Sequence, residues 1–259
     1  MDTGLGGKVA WVTGASAGLG LGSARSLARE GARVAVSARD ADRLSRVAGE
    51  IGALPVPCDV SVPEEVVAAA RQVRGDLGPI DVLVANPGSG PPPGPFVDVD
   101  EATMRAAFES LIASAWNLTK AALPDMLERE RGVIVYVTSA STKEILGNLL
   151  LSNMMRPAVV GMAKTLSKEV GPRGVRVLCA APGRYATDRV DFLDRSIAQA
   201  TGRDQDEVRA SMAERIPLRR YGESEEFGDL VAFLASERAS FLTGISVAAD
   251  GGALDGLLS

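Results

Sequence analysis

Apolar residues along this chain fall into two kinds of pattern that alternate from end to end. Short unbroken runs rich in Val, Ile and Ala occupy 8–13, 33–38, 54–58, 81–86, 132–138, 175–180 and 245–249. Runs of that length, mostly apolar and without strict alternation of polar positions, predict strands covered on both faces. Between them, apolar residues recur every third or fourth position near 18–30, 40–51, 63–77, 100–129, 149–171, 188–214 and 223–236, the spacing of helices with one buried face. The alternation predicts an α/β fold: one domain over 1–259, a doubly wound parallel sheet of about seven strands with helices on both faces. No internal repeat and no long linker divides the chain.

Two stretches interrupt the rhythm. Residues 87–95 are so rich in proline that helix is excluded, because each proline fixes φ and lacks an N–H. Residues 184–222 are polar and charged. Both leave the carboxyl ends of predicted strands, where open α/β sheets bind ligands, so 184–222 is the expected substrate lid and 87–95 a wall.

The first strand empties into Gly14-Ala15-Ser16-Ala17-Gly18-Leu19-Gly20 and then directly into a helix. That is a phosphate-binding turn of Rossmann type. Gly14 permits the reversal, Gly18 lets backbone approach a pyrophosphate, and Gly20 lets helix pack on strand, with the helix N-terminus facing the anion.

Composition narrows the function. Of 259 residues, 46% are hydrophobic and 24% charged, and no apolar run approaches the roughly 20 residues a membrane-spanning helix needs. The first residues show no signal-peptide pattern, so a cytoplasmic protein is expected. A net charge of −5 argues against nucleic acid or an anionic membrane as principal partner. The absence of histidine removes imidazole acid/base chemistry and His-based metal sites, and no metal is expected. Cys58 and Cys179 sit in or beside apolar strands and read as packed thiols.

The glycine turn is joined by Asp59 after the third strand, Asn86-Pro87-Gly88 after the fourth, Thr138-Ser139 after the fifth, Pro182-Gly183 with Thr187 after the sixth, and Asp250-Gly251-Gly252 near the end. In this order the chain resembles the short-chain dehydrogenase/reductase family over essentially its whole length, and within it the 3-oxoacyl-[acyl-carrier-protein] reductases and sugar or polyol dehydrogenases. The resemblance implies that Gly14, Ser16, Gly18, Leu19 and Gly20 frame a cofactor pyrophosphate. Asp59 and Val60 would meet the adenine, Asn86 and Gly88 the ribose, and Pro182, Gly183 and Thr187 the nicotinamide amide. At the end of the second strand no acidic side chain awaits a free ribose 2′-hydroxyl. Arg39 offers a guanidinium suited to a 2′-phosphate, with Ser37 as a possible helper, which favours NADP(H) over NAD(H). Arg39 as a solvated residue at a helix start is the plainer alternative.

The catalytic set departs from the family. A Tyr proton donor, a Lys one helical turn later, a Ser and an Asn are expected. Aligned outward from Ser139, Ser152 stands at the Tyr position, Arg156 at the Lys position, and the Asn position falls near Leu111. An aliphatic hydroxyl is a far weaker acid than a phenol, and a guanidinium does not shuttle protons, although Arg156 can still bind ribose. Ser152 also reads as a helix N-cap, with Pro157 kinking the helix or shifting the cap toward Asn153. Tyr185 and Lys143 are candidate substitute acids, and Tyr136 reads as packed. The implied function is an oxidoreductase acting on a carbonyl or alcohol such as a 3-oxoacyl thioester or polyketide-like ketone. The alternatives are a cofactor-binding protein without turnover, or a non-redox cyclase, isomerase or dehydratase using the same pocket. In the resembling family, helices equivalent to 100–129 and 149–171 pack between subunits, which implies a homodimer or homotetramer.

Overall fold

Strand β1 (Val9–Thr13) is buried at every position and divides its side chains between two cores: Val9 and Trp11 enter one, Ala10 and Val12 the other. The same division runs through β2 (Arg33–Ser37), β4 (Val82–Ala85), β5 (Gly132–Val137) and β6 (Val175–Pro182). Successive residues of a strand point to opposite faces, so an unbroken apolar run serves a sheet covered on both. With β3 (Leu54–Pro55) and β7 (Ser246–Ala249), the strands form one wholly parallel sheet in the order β3-β2-β1-β4-β5-β6-β7. The structure, a computed structural model, describes residues 2–87 and 90–256.

Helices α1 (Gly18–Arg29), α2 (Ala41–Ile51) and α9 (Ser224–Ala235) cover one face. Helices α3 (Pro63–Leu77), α5 (Ser114–Glu128) and α6 (Leu150–Val170) cover the other. The seven strands fall where the hydrophobic runs place them, with one shortened. Pro55 and Pro57 remove donors from the 54–58 run, leaving a two-residue strand, yet Val56 and Cys58 still donate to Val36 O (2.9 Å) and Ala38 O (3.1 Å).

Three helical expectations are corrected. The 100–129 segment is α4 (Glu101–Phe108), a π-helical turn over Glu109–Ala113, and α5. The 188–214 segment breaks after α7 (Asp188–Thr201), where Gly202 adopts φ 66°, and resumes as α8 (Gln205–Glu214). Pro157 neither delays nor divides α6, and Ser152 is not its N-cap: Leu149 holds that place, and Asn153 N already donates to Leu149 O at 2.9 Å. Among the described residues no helix is long and apolar enough to cross a membrane.

The amino end of the sheet is tied by Asp81, 7% exposed. Its Oδ2 accepts from Val9 N at 2.9 Å, and its Oδ1 accepts from Arg129 Nη1 at 3.1 Å. Asp81→Ala would remove the acceptor of the buried Val9 N–H and the carboxylate partner of Arg129, whose remaining bonds go to Asp125 O and Ile80 O, costing about 2–3 kcal/mol. Urea unfolding followed by circular dichroism measures this, and Asp81→Asn should recover part of the loss.

Candidate active site

The sheet order reverses between β1 and β4, so their carboxyl ends diverge into a crevice. Two hydrogen bonds bolt its base: Thr13 Oγ1 donates to Asn86 O at 2.8 Å and accepts from Asn86 N at 3.0 Å. Asn86 Nδ2 then donates to Gly14 O at 3.2 Å, fixing the entry to the glycine turn. Gly14 and Gly18 adopt φ of 57° and 53°, a region that favours glycine. A Cβ on Gly20 would come within 2.2 Å of Gly14 O and 2.7 Å of Asn86 Nδ2. The turn is therefore a backbone-lined cradle at the start of α1.

A cleft of about 920 Å³ runs from this cradle across the carboxyl edge of the sheet. Gly14, Ser16, Gly18, Leu19, Arg39, Asp59, Val60, Asn86, Pro182, Gly183 and Thr187 all line it, as do Ser139, Ser152, Arg156 and Tyr185. Gly88, expected at the ribose, lies outside the described residues.

At one end, Arg39 is joined by Arg43, one turn into α2. Asp59 accepts from Ser61 N (2.9 Å) and Ser61 Oγ (2.6 Å); chiefly these bonds, with Arg39 adding a smaller share, hold its carboxyl below the usual range. Ser37 does not join Arg39. It is buried, and its hydroxyl accepts from Trp11 Nε1 at 2.9 Å in the interior.

Hydroxyls and a guanidinium meet at the other end. Ser139 Oγ accepts from Ser141 N at 3.1 Å, and Ser141 Oγ lies 3.0 Å from Ser152 Oγ inside α6. Arg156, one turn further, donates from Nη1 to Thr138 O (2.6 Å) and Val137 O (3.3 Å), pinning the guanidinium to the end of β5. Its Nε is buried and has no hydrogen-bond partner. Desolvation, then the nearby charge of Arg189, lower the Arg156 pKa to about 10, so it stays cationic at neutral pH. Leu111 is buried on the π-helical turn, packed with Ala107, Leu151 and Met155. No amide stands there.

The two substitute acids differ. The Tyr185 ring meets Phe227 edge-on at 5.4 Å, and burial raises its phenol to about 12. Lys143 lies in the turn after Ala140–Thr142 and is not among the lining residues of the cleft. Tyr136 is packed as expected, 1% exposed.

The 184–222 segment roofs the cleft. Asp194, fully buried on α7, accepts from Arg184 at the start of the segment and from Tyr221 OH (2.9 Å) at its end. Opposite ends of the cleft are spanned by Arg43 to Asp188 (3.2 Å) and by Arg189 Nη2 to Pro91 O (2.6 Å). Thr187, besides lining the cleft, caps α7 by accepting from Val190 N at 3.4 Å.

A family model described as Enoyl-(Acyl carrier protein) reductase matches residues 14–253. The chain belongs to the short-chain dehydrogenase/reductase family. Oxidoreductase UcpA of Salmonella typhimurium is 36% identical over 255 residues, covering 96% of this chain and 95% of that protein. The crystal structure of L-sorbose reductase from Gluconobacter frateurii complexed with NADPH and L-sorbose superposes with a TM-score of 0.93 at 32% identity, over 99% and 100% of the two chains. The 3-ketoacyl-(acyl-carrier-protein) reductase from Brucella melitensis complexed with NADH gives 0.86 at 30% identity, over 96% and 99%.

Within this short-chain dehydrogenase/reductase, several residues that line or brace the cleft escaped sequence reasoning. Arg43 follows Arg39 at helical spacing and was findable there. Arg189 and the Asp194–Tyr221 brace carry no local signature, because their positions depend on how the 184–222 segment folds back, and Ser141 is placed by the turn after β5 that sets it against Ser152. The orphaned Arg156 Nε and the Gly20 cradle fit a dinucleotide on this chain's own geometry. Gly20→Ala places a methyl against backbone oxygen, and overpacking of that kind costs about 1–3 kcal/mol. Thermal unfolding and NADPH fluorescence titration should show reduced stability and at least roughly tenfold weaker nucleotide binding.

Proposed function

We propose that the protein is an NADP(H)-dependent oxidoreductase interconverting a carbonyl and an alcohol, with a ketone or 3-oxoacyl thioester as the substrate type. One observation carries the reading: a single cleft joins the glycine cradle to Ser139 and Arg156. The NADPH in the L-sorbose reductase structure supports it. Arg39 and Arg43 at the far end favour the phosphorylated cofactor, since guanidinium groups suit a 2′-phosphate. Asp40 lies beside them, and its carboxylate accepts from Arg43 N at 2.9 Å as the α2 cap.

Bound NADP(H) supplies or takes the hydride at the carbonyl carbon. Ser139 accepts from Ser141 N, which leaves its own proton free to point at the substrate oxygen. The Ser141–Ser152 hydroxyl pair occupies the place of the family's phenol, and neither alcohol is acidic enough to act as a comparable donor. Solvent therefore supplies the proton, relayed past these hydroxyls, while the fixed positive charge of Arg156 stabilises the developing alkoxide. Arg156 also offers donors to the nicotinamide ribose. Tyr185 is left to packing.

The exposed side chains of Phe108, Trp116 and Met154 on α4, α5 and α6 support association of the protein with itself as a dimer or tetramer through this face. Sedimentation showing only monomer would refute that. Two arms test the redox reading. NADPH should bind more tightly than NADH, with the preference lost in Arg39→Ala/Arg43→Ala. NADPH consumption with a panel of ketones and 3-oxoacyl thioesters should fall about 10²–10³-fold in Ser139→Ala, the loss typical of an oxyanion donor. Retained nucleotide binding without Ser139-dependent turnover would favour a cofactor-binding role without redox chemistry, or a non-redox reaction in the same cleft.

A further inference from the structure

Among the described residues, two guanidinium groups in the reacting half of the cleft have no carboxylate paired to them. Arg156 and Arg189 both line it, and among the described residues neither forms an ion pair. Arg156 spends Nη1 on two backbone carbonyls and leaves Nε buried without a partner. Arg189 is held in place by Pro91 O at 2.6 Å and by the Phe192 ring, with its guanidinium carbon 5.7 Å from the ring centroid. The two cations are close enough that Arg189 helps to lower the Arg156 pKa, and desolvation lowers that of Arg189 as well.

None of the other described charged groups around them pairs with either guanidinium. Arg184 is already matched by Asp194. Asp250 accepts from Gly252 N (3.0 Å) and Leu254 N (2.8 Å), and Glu144 accepts from Asp255 N (3.3 Å); both keep their charge, and neither forms an ion pair with Arg156 or Arg189. Arg215, also in the lining, adds a further cation and has no ion pair among the described residues. The remaining wall is apolar: Leu146, Leu149, Leu193, Ile197, Met212 and Ile216.

Two half-buried guanidinium groups in one cleft without carboxylate partners are costly unless an anion joins them, and a guanidinium fork matches a carboxylate in geometry. We infer that the substrate is an oxo acid with an apolar body, whose carboxylate sits on Arg189 with Arg156 beneath it and whose carbonyl faces Ser139. This rests on the redox reading above. The reaction adds a hydride to the carbonyl carbon and a solvent proton to its oxygen, leaving the carboxylate unchanged. The cofactor's own pyrophosphate is the rival source of negative charge, and the test separates the two.

Calorimetry on the NADPH-loaded protein compares 2-oxo-4-phenylbutanoate and 4-oxo-4-phenylbutanoate with their methyl esters. At least one acid should bind roughly tenfold or more tightly than its ester, the effect of a hydrogen bond to a charged group. Arg189→Gln should abolish the difference while leaving NADPH affinity within about threefold, and Arg189→Lys should keep part of it. Equal affinities of acid and ester, or no binding of either acid, overturn the inference. So does an Arg189→Gln variant that weakens NADPH and spares the acid preference, since the anion is then the pyrophosphate. If the wild-type protein fails to bind NADPH, the redox reading falls, and the same titrations on cofactor-free protein decide the anion seat: a preference for acid that Arg189→Gln removes upholds it, and parity overturns it.

Discussion

The contact on which the site depends is the close approach of the α1 backbone at Gly20 to the carbonyl of Gly14, with Asn86 Nδ2 on the same oxygen. The end of β1 and the first turn of α1, neighbours in the chain, meet there with Asn86 at the end of β4, which lies 72 residues beyond Gly14. Thr13 completes the join by exchanging two hydrogen bonds with the Asn86 backbone. Because β1 and β4 are the strands between which the sheet order reverses, this junction both closes the core below and aims the N-terminus of α1 into the crevice above. A side chain at position 20 would push the helix off the strand, and the cradle would lose its shape before any ligand was involved.

Most of the scaffold was legible because it follows from two periodicities. Trp11, Ile134 and Val177 enter one core while Val12, Val135 and Leu178 enter the other, so the apolar runs had to be strands buried twice. The cradle was legible too, since glycines at 14, 18 and 20 after a strand have few other uses. What escaped was set by tertiary contact. Nothing local marks Glu109–Ala113 as a π-helical turn, and helical periodicity passes through it. Ser152 read as a cap because serine is favoured there and a predicted helix opens nearby, and Pro157 read as a kink that would shift the cap toward Asn153. The fold begins the helix at Leu150 and tolerates the proline, while Asn153 turns its side chain back to Leu146 N and O (3.2 and 2.9 Å). Ser37 read as a phosphate helper from its place at a strand end, but the strand's register turns it inward to Trp11.

The 184–222 segment shows how a charged, weakly apolar stretch is held without a core of its own size. Val190, Ile216 and Tyr221 form a small cluster, and Asp194 within it ties the two roots of the segment through Arg184 and Tyr221. A buried carboxylate is tolerable only when its lone pairs are filled by such donors, and here both donors come from the segment's ends. The start of α7, in contrast, is joined to the rest of the cleft by exposed or half-buried groups: Asp188 to Arg43, and Arg189 to a carbonyl of the proline-rich loop. Strong ties within the segment and weaker ones across the cleft are the arrangement a substrate lid would need on the proposed reading.

The same division of strong and weak explains why losing a phenol and an ammonium together is coherent on the proposed reading. A lysine at position 156 would serve partly to make a neighbouring phenol more acidic, and without the phenol that service has no object. Arginine retains the cation, adds donors fixed in a plane, and pins itself to the carbonyls of residues 137 and 138. The site then lowers the barrier by stabilising charge on the substrate oxygen and leaves protonation to water. Such a mechanism needs the positive charge to be permanent and immobile, and it gains from burial, because a cation acts more strongly where water is excluded. Arg156 meets each condition: its pKa stays near 10 despite the desolvation that lowers it, and both of its recorded hydrogen bonds end on the sheet itself.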